Sequence, residues 1–299
     1  LVTSGCAAAL CQITGACVTG GEIEKIRKLP DTTGMKNEVL VQPSHRHIYD
    51  QAIRMVGVKI IEIETLKELK LAINKRTAMI SVFGNSVDRG KISLEEMVRV
   101  GKANQVPLFV DAAAERPDVP NRYIAEGVDA VGYSGGKCLR GPQASGLVLG
   151  RKELLQAAFM NGAPHHSLGR PMKVGKEEIM GLLAALEQWV VRDHEAEWKE
   201  WEQWLKIIKE SISSFPSVHT SIRQPGRSNV APILVISWER DKIQISPEEI
   251  QEQLYIGEPK IDLFTHKDGV EIMPYMMERG EEIKVAERLH NLLDEAISK

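Results

Sequence analysis

The order of apolar runs between residues 39 and 149 constrains this chain most. Strand-length apolar or β-branched stretches occur at Val39 to Val41, Val58 to Ile63, Ala78 to Phe83, Leu108 to Val110, Ala130 to Tyr133 and Gly146 to Leu149. Between them lie helical patterns at Tyr49 to Met55, Leu66 to Ile73, Leu94 to Ala103 and Tyr123 to Glu126. Strands that alternate with helices are joined by right-handed crossovers, so the pattern predicts an α/β fold, a mostly parallel central sheet with helices on both faces. Upstream, a helix is predicted from Ser4-Gly5 to about Val18, closed by Gly20-Gly21.

From Lys176 the character changes to a helix-rich segment, Glu177 to Ile212, broken by Phe215-Pro216. Its Trp189, Trp198, Trp201 and Trp204 read as an aromatic stripe packed on the body of the protein, since 198/201 and 201/204 share helical spacing. Past Gly226 come a strand at Ile233 to Trp238 and a Pro247-led helix, Glu248 to Leu254. Two short strands near Ile261 to Phe264 and Val270 to Met273 and a helix at Glu281 to Ile297 complete a small α+β unit. At roughly 150 residues per domain, 299 residues suit this division: a large α/β domain over 1–175, connecting helices over 176–215, and a small C-terminal domain over 216–299.

Lys+Arg 38 against Asp+Glu 41 leaves a net charge of −3, so the chain as a whole has no field to draw in nucleic acid or an anionic membrane. No stretch reaches the roughly 20 apolar residues of a membrane span. Cys6, Cys11, Cys17 and Cys138 form no C-x-x-C pair, which points to reduced thiols and a cytoplasmic setting. The opening LVTSGCAAAL has the apolarity of a signal peptide without its positively charged start, and no initiator Met precedes it. The expectation is that the chain starts inside a fold whose first segment is missing. His165-His166, read as a loop near the cleft or a dimer contact, is a poor metal pair because adjacent side chains diverge; no metal is expected.

Three features stand where an open α/β sheet keeps its ligands, at the carboxyl ends of strands. Thr3-Ser4-Gly5-Cys6 opens a helix whose free amides and positive dipole end suit a phosphate, although a plain N-cap explains Ser4-Gly5 equally well. Asp111 ends a buried apolar strand and is followed by three alanines; a carboxylate there is costly unless it meets a cation, and a helix cap is the even alternative. Ser134-Gly135-Gly136-Lys137 carries a lysine on a glycine turn; beside a bound cation or in an apolar cleft a lysine loses proton affinity and becomes a nucleophilic amine, while a surface lysine is the plain alternative.

In this order the motifs resemble the fold type I pyridoxal-phosphate enzymes, and more closely the branch of selenocysteine synthase and the D-glucosaminate-6-phosphate ammonia-lyases. The likeness is carried by VTSGCAAAL (2–10), VDAAAERP (110–117), SGGKCLRGPQASGLVLGRKEL (134–154) and APHHSLGRPMKVGKEEIMGLLAALE (163–187). The resemblance implies pyridoxal 5'-phosphate as cofactor, with Lys137 as its Schiff-base lysine and Asp111 as partner of the pyridine nitrogen. Ser4, Gly5, Cys6 and Ser134 would hold the phosphate. One histidine of Pro43-Ser44-His45-Arg46-His47 would stack on the ring, with His45 favoured over His47 by its place just after a strand.

Arg140, Arg170 and Lys173, in the most family-specific stretches, are candidates for the anionic groups of the substrate, with ion pairs inside the fold as the alternative. Ala114 stands where related enzymes often carry a Gln that contacts the cofactor's phenolic oxygen. The implied reaction is α,β-elimination from a 2-amino-3-hydroxy acid or amino-sugar acid such as D-glucosaminate 6-phosphate, by a homodimer or higher homo-oligomer. Two alternatives stay open: a selenium transferase acting on seryl-tRNA, against which the net charge speaks, and a cofactor-free structural subunit or inactive fragment.

Overall fold

In the computed structural model, which describes residues 1–225 and 230–297, the apolar runs of the first part pair into one seven-stranded sheet. Its strands are β1 (Val2–Thr3), β2 (Glu38–Val41), β3 (Lys59–Glu62), β4 (Thr77–Phe83), β5 (Leu108–Asp111), β6 (Ala130–Ser134) and β7 (Gly146–Gly150), in the order β1-β7-β6-β5-β4-β2-β3. From β3 to β6 every neighbouring pair is parallel. The connection from β6 to β7 is too short for a crossover helix, and β7 accordingly runs antiparallel to β6. Because β1 is in turn antiparallel to β7, it points the same way as β6.

Both faces of the sheet are covered, as a parallel sheet requires. Alternate residues of one strand enter opposite layers: Val39 and Val41 join Phe109 and Val148 in one apolar cluster, while Leu40 joins Ile80, Val110 and Val131 in the other. Each such side chain, fully buried, contributes about 1.5–3 kcal/mol. The helices on these layers are α1 (Cys6–Thr19), α2 (Ile23–Lys28), α3 (Asp50–Arg54), α4 (Leu66–Ala72), α5 (Leu94–Ala103), α6 (Arg122–Ala125), α7 (Lys152–Met160) and α8 (Lys176–Val191). Thr65 with Glu68, and Ser93 with Glu96, form capping boxes that start α4 and α5. α1 stops where Gly20 turns left-handed, at φ +61°, and returns its amide to Ala16 O at 2.8 Å.

The chain divides into two units, Leu1–Arg192 and Asp193–Lys299. The second contains α9 (His194–Ser211), β8 (Val218–Arg223), β9 (Ile233–Trp238), α10 (Pro247–Ile256), β10 (Phe264–His266), β11 (Gly269–Ile272) and α11 (Glu281–Ile297), its four strands ordered β10-β11-β9-β8 and all antiparallel. Leu205, Ile208, Ile236, Leu254 and Leu289 are among its core residues.

The structure departs from the sequence pattern at five places. The helical stretch 177–212 is interrupted at Arg192-Asp193, where Arg192 is extended and the Asp193 side chain caps α9 by accepting from Ala196 N at 3.0 Å. This break divides the segment 176–215 between the two units. β8 carries no apolar run to mark it, being an edge strand with mostly exposed residues, and β10 begins at Phe264, where the expected strand ends. α2 and α7 are also additional to the pattern. Gly226 lies outside the described residues.

Candidate active site

Since β1, β2, β4, β5 and β6 share one direction, their carboxyl ends gather along one edge of the sheet. Register puts Phe83 beside Asp111, and Asp111 beside Gly132. Residues far apart in sequence thereby become neighbours at the ends of three adjacent strands.

Asp111 is only 3% exposed, so its carboxylate depends on polar contacts for its stability. Oδ1 accepts from Cys6 Sγ at 3.1 Å and from Ala113 N at 3.1 Å. Oδ2 receives no hydrogen bond from the described residues. Burial, and then the neighbouring Asp111 charge, push the Cys6 thiol well above its usual range, with the Lys137 charge acting in the opposite direction. Cys6, Asp111 and Lys137 therefore lie within electrostatic reach of one another.

Lys137 is exposed on a turn that leaves the end of β6. Ser134 N donates to Ala113 O at 3.2 Å and Cys138 Sγ to Ala114 O at 3.1 Å, tying the lysine turn to the loop that follows Asp111. Gly135 and Gly136 are needed for space: a Cβ would lie 2.0 Å from Ser145 Oγ at the first position and 2.6 Å from Gln143 Oε1 at the second. Lys137 O accepts from Arg140 N at 2.9 Å, and Arg140 closes the turn with φ +55°.

At the start of α1, Gly5 has φ +139°, with open space where a Cβ would stand. No side chain caps this helix, so its first amides face outward with the positive end of the dipole. Ser4 and Gly5 border an open cleft of about 700 Å³, with Tyr49, Met55 and Met172 also on its wall.

The two histidines after β2 meet Phe83 differently. His45 is 1% exposed and its Nδ1 accepts from Phe83 N at 3.1 Å. Burial, followed by the charges of Arg89 and His47, pushes its pKa down to about 4, so it is neutral near pH 7. His47 is half-buried and stacks on the Phe83 ring at 4.2 Å, while its Nδ1 is buried without a hydrogen-bond partner.

Glu115 was missed as a site-supporting residue, although its place four residues after Asp111 in VDAAAERP was a signal. It is 2% exposed. Its carboxylate accepts the single hydroxyl proton of Tyr123, whose OH lies 2.8 Å from both oxygens, and Arg122 Nη2 lies 3.0 Å from Oε2. This anchors the loop carrying Ala112 to Ala114. Arg140, Arg170 and Lys173 are all exposed, and the Arg170 and Lys173 side chains make no ion pair within the described residues. Among the described residues there is no group of three His, Cys, Asp or Glu side chains placed to hold a metal ion, and no helix long and apolar enough to cross a membrane.

A family model described as SelA, L-seryl-tRNA selenium transferase, matches residues 50–213, more than half of the chain and a span that includes Asp111 and Lys137. D-glucosaminate-6-phosphate ammonia lyase of Salmonella typhimurium is 29% identical over 309 aligned residues, covering 99% of this chain and 81% of that protein. A 5'-C-glycyluridine monooxygenase-decarboxylase of a Streptomyces species is 28% identical, with 97% and 75% covered. The L-seryl-tRNA(Sec) selenium transferase of Photorhabdus laumondii is 27% identical over 59% of this chain, which spans 43% of that protein's length. The solved structure of D-glucosaminate-6-phosphate ammonia-lyase superposes with a TM-score of 0.81 at 28% identity, over 99% of this chain and 81% of that one. The fold is that of the fold type I pyridoxal-phosphate enzymes.

Proposed function

The chain belongs to the family described as SelA, L-seryl-tRNA selenium transferase, and from that premise we propose that it is a pyridoxal-phosphate-dependent lyase of the ammonia-lyase type. Its substrate in this reading is a 2-amino-3-hydroxy acid or an amino-sugar acid such as D-glucosaminate 6-phosphate. The observation that carries the reading is the likeness to the ammonia lyase over 99% of the chain, in sequence and in fold.

The residues present fit the cofactor. The uncapped start of α1 with the open, positive-φ Gly5 suits its phosphate, with Ser4, Cys6 through its backbone amide, and Ser134, which pairs with the same β7 residue, Gly146, as Thr3. Asp111 Oδ2, without a partner in the described chain, suits a protonated ring nitrogen. For the flat face of the ring the exposure favours His47 over the enclosed His45.

When bound, pyridoxal phosphate supplies an electron sink for charge developing at the substrate Cα. Lys137 is the residue that would hold this group through its ε-amine, and as a free amine it would serve as the base for the substrate Cα proton. Asp111 would hold a protonated ring nitrogen through Oδ2. Elimination of the β-hydroxyl as one water, followed by addition of one water to the resulting enamine, would give a 2-keto acid and ammonia. Arg140, Arg170 and Lys173 are the cations we assign to the carboxylate or phosphate of the substrate. A homodimer or higher homo-oligomer in the cytoplasm completes the proposal, in keeping with four free thiols.

Turnover with a panel of phosphorylated and free 2-amino-3-hydroxy acids tests it: ammonia and keto acid should appear in equal amounts from at least one member. Selenium transfer to seryl-tRNA is the second reading, favoured by the description of the family. The net charge of −3 weighs against it. Salt-sensitive, tight binding of seryl-tRNA without lyase turnover would reverse the order of the two.

A further inference from the structure

We propose that Cys6 is a positioning residue for Asp111: its thiol and the Ala113 amide together clamp Oδ1, so that Oδ2 is the oxygen turned to the pyridine nitrogen. This rests on the role given to Asp111 above and extends it to a residue 105 positions away.

The thiol occupies a built place. Asp111 faces Gly132 across the β5/β6 register, and a Cβ at Gly132 would come 3.0 Å from Cys6 Sγ and 2.9 Å from the Phe109 ring. A glycine at that register position leaves the space that the thiol fills. Cys6 is 4% exposed and Asp111 3%, so water cannot substitute for the S–H donor. The same burial, with the carboxylate beside it, keeps the sulfur protonated and therefore a donor. A thiol is a weak donor to neutral oxygen, but an ionised acceptor strengthens the bond. Cys138 offers the contrast within this molecule, since its Sγ donates to the uncharged carbonyl of Ala114.

The asymmetry of the carboxylate gives the contact its consequence. With Oδ1 held by two donors and Oδ2 by none from the described residues, rotation about the Cβ–Cγ bond would break both bonds at once. Cys6 also occupies the first position of α1, so its backbone contributes the helix dipole whatever its side chain. Substitution of the side chain thus isolates the thiol.

The test has a part that needs no cofactor. In the cofactor-free protein, the infrared S–H stretching band lost in Cys6→Ala belongs to Cys6, and in Asp111→Asn it should move to higher frequency as the charged acceptor is replaced by a neutral one. A band unmoved by Asp111→Asn overturns the proposal. In the second part, affinity for pyridoxal phosphate alone should fall about tenfold to a hundredfold in Cys6→Ala, the worth of a hydrogen bond to a charged group. Most of it should return in Cys6→Ser, whose hydroxyl donates to the same oxygen and fills more of the space. Impaired binding in Asp111→Asn with wild-type affinity in Cys6→Ala would overturn the role of the thiol alone. Wild-type affinity in Asp111→Asn would instead overturn the role of Asp111, and this proposal with it.

Discussion

Among the described residues the first unit encloses Gln12, Glu38, Gln42, His45, Asp50, Asp111, Glu115 and Asn161 together with several hydroxyl side chains, whereas the second encloses only Ser217 and Glu282 as polar groups. A buried polar group costs stability unless it is bonded, and a buried charge costs more. Part of this cost is carried at the carboxyl ends of its strands, where Asp111 ends β5, Glu115 follows it and Gln42 and His45 follow β2. The second unit is built around side chains such as Leu205, Ile236 and Leu289, each 0% exposed. The difference teaches where to look for chemistry in this molecule: at the edge of the sheet where polar groups are held away from water by specific donors.

Substitutions in the two units should therefore separate activity from stability. Asp111→Asn should lower elimination turnover by roughly 10²–10³-fold, the range for losing one preorganised electrostatic partner, with the far-ultraviolet dichroism of the protein retained. Near-normal turnover would place the ring-nitrogen contact elsewhere. Leu289→Ala should cost about 2–5 kcal/mol of stability from the cavity it leaves, read by denaturant unfolding, with cofactor attachment per folded molecule unchanged.

A smaller effect should come from His45. Its pKa is pushed down from 6.5 to about 4, so between these values the unfolded chain binds a proton that the folded chain does not. Stability should therefore fall as the pH drops from about 6.5 to about 4, by at most about 3 kcal/mol from this group. His45→Asn, which keeps an acceptor for the Phe83 amide, should flatten that part of the pH profile. An unchanged profile would mean that other groups set it.

How much of this was legible in the sequence depends on the range of the signal. α1 and its glycine stop, β4 to β7 and α11 follow from local periodicity and caps, because each is set by neighbours within a few residues. The break at Asp193 was hidden inside a continuous helical pattern, since an aspartate in a charged helix reads as a solvated face until its carboxylate is seen to cap. Edge strand β8, with one side and its outer residues in water, carries little apolar alternation. At the site, Asp111 and Lys137 stood out because a carboxylate ending an apolar strand and a lysine on a glycine turn are locally unusual. The Cys6–Asp111 bond and the Tyr123–Glu115 anchor were not legible, because strand pairing and side-chain packing, rather than local pattern, bring these groups together.

The central claim is that the carboxyl edge of the first unit holds pyridoxal phosphate on Lys137. Borohydride reduction of the protein loaded with pyridoxal phosphate, followed by proteolysis and mass mapping, tests it directly. The account predicts a single reduced adduct on the peptide containing Lys137, absent from Lys137→Ala. An adduct on Lys102 or Lys152 instead, persisting in that variant, would contradict it.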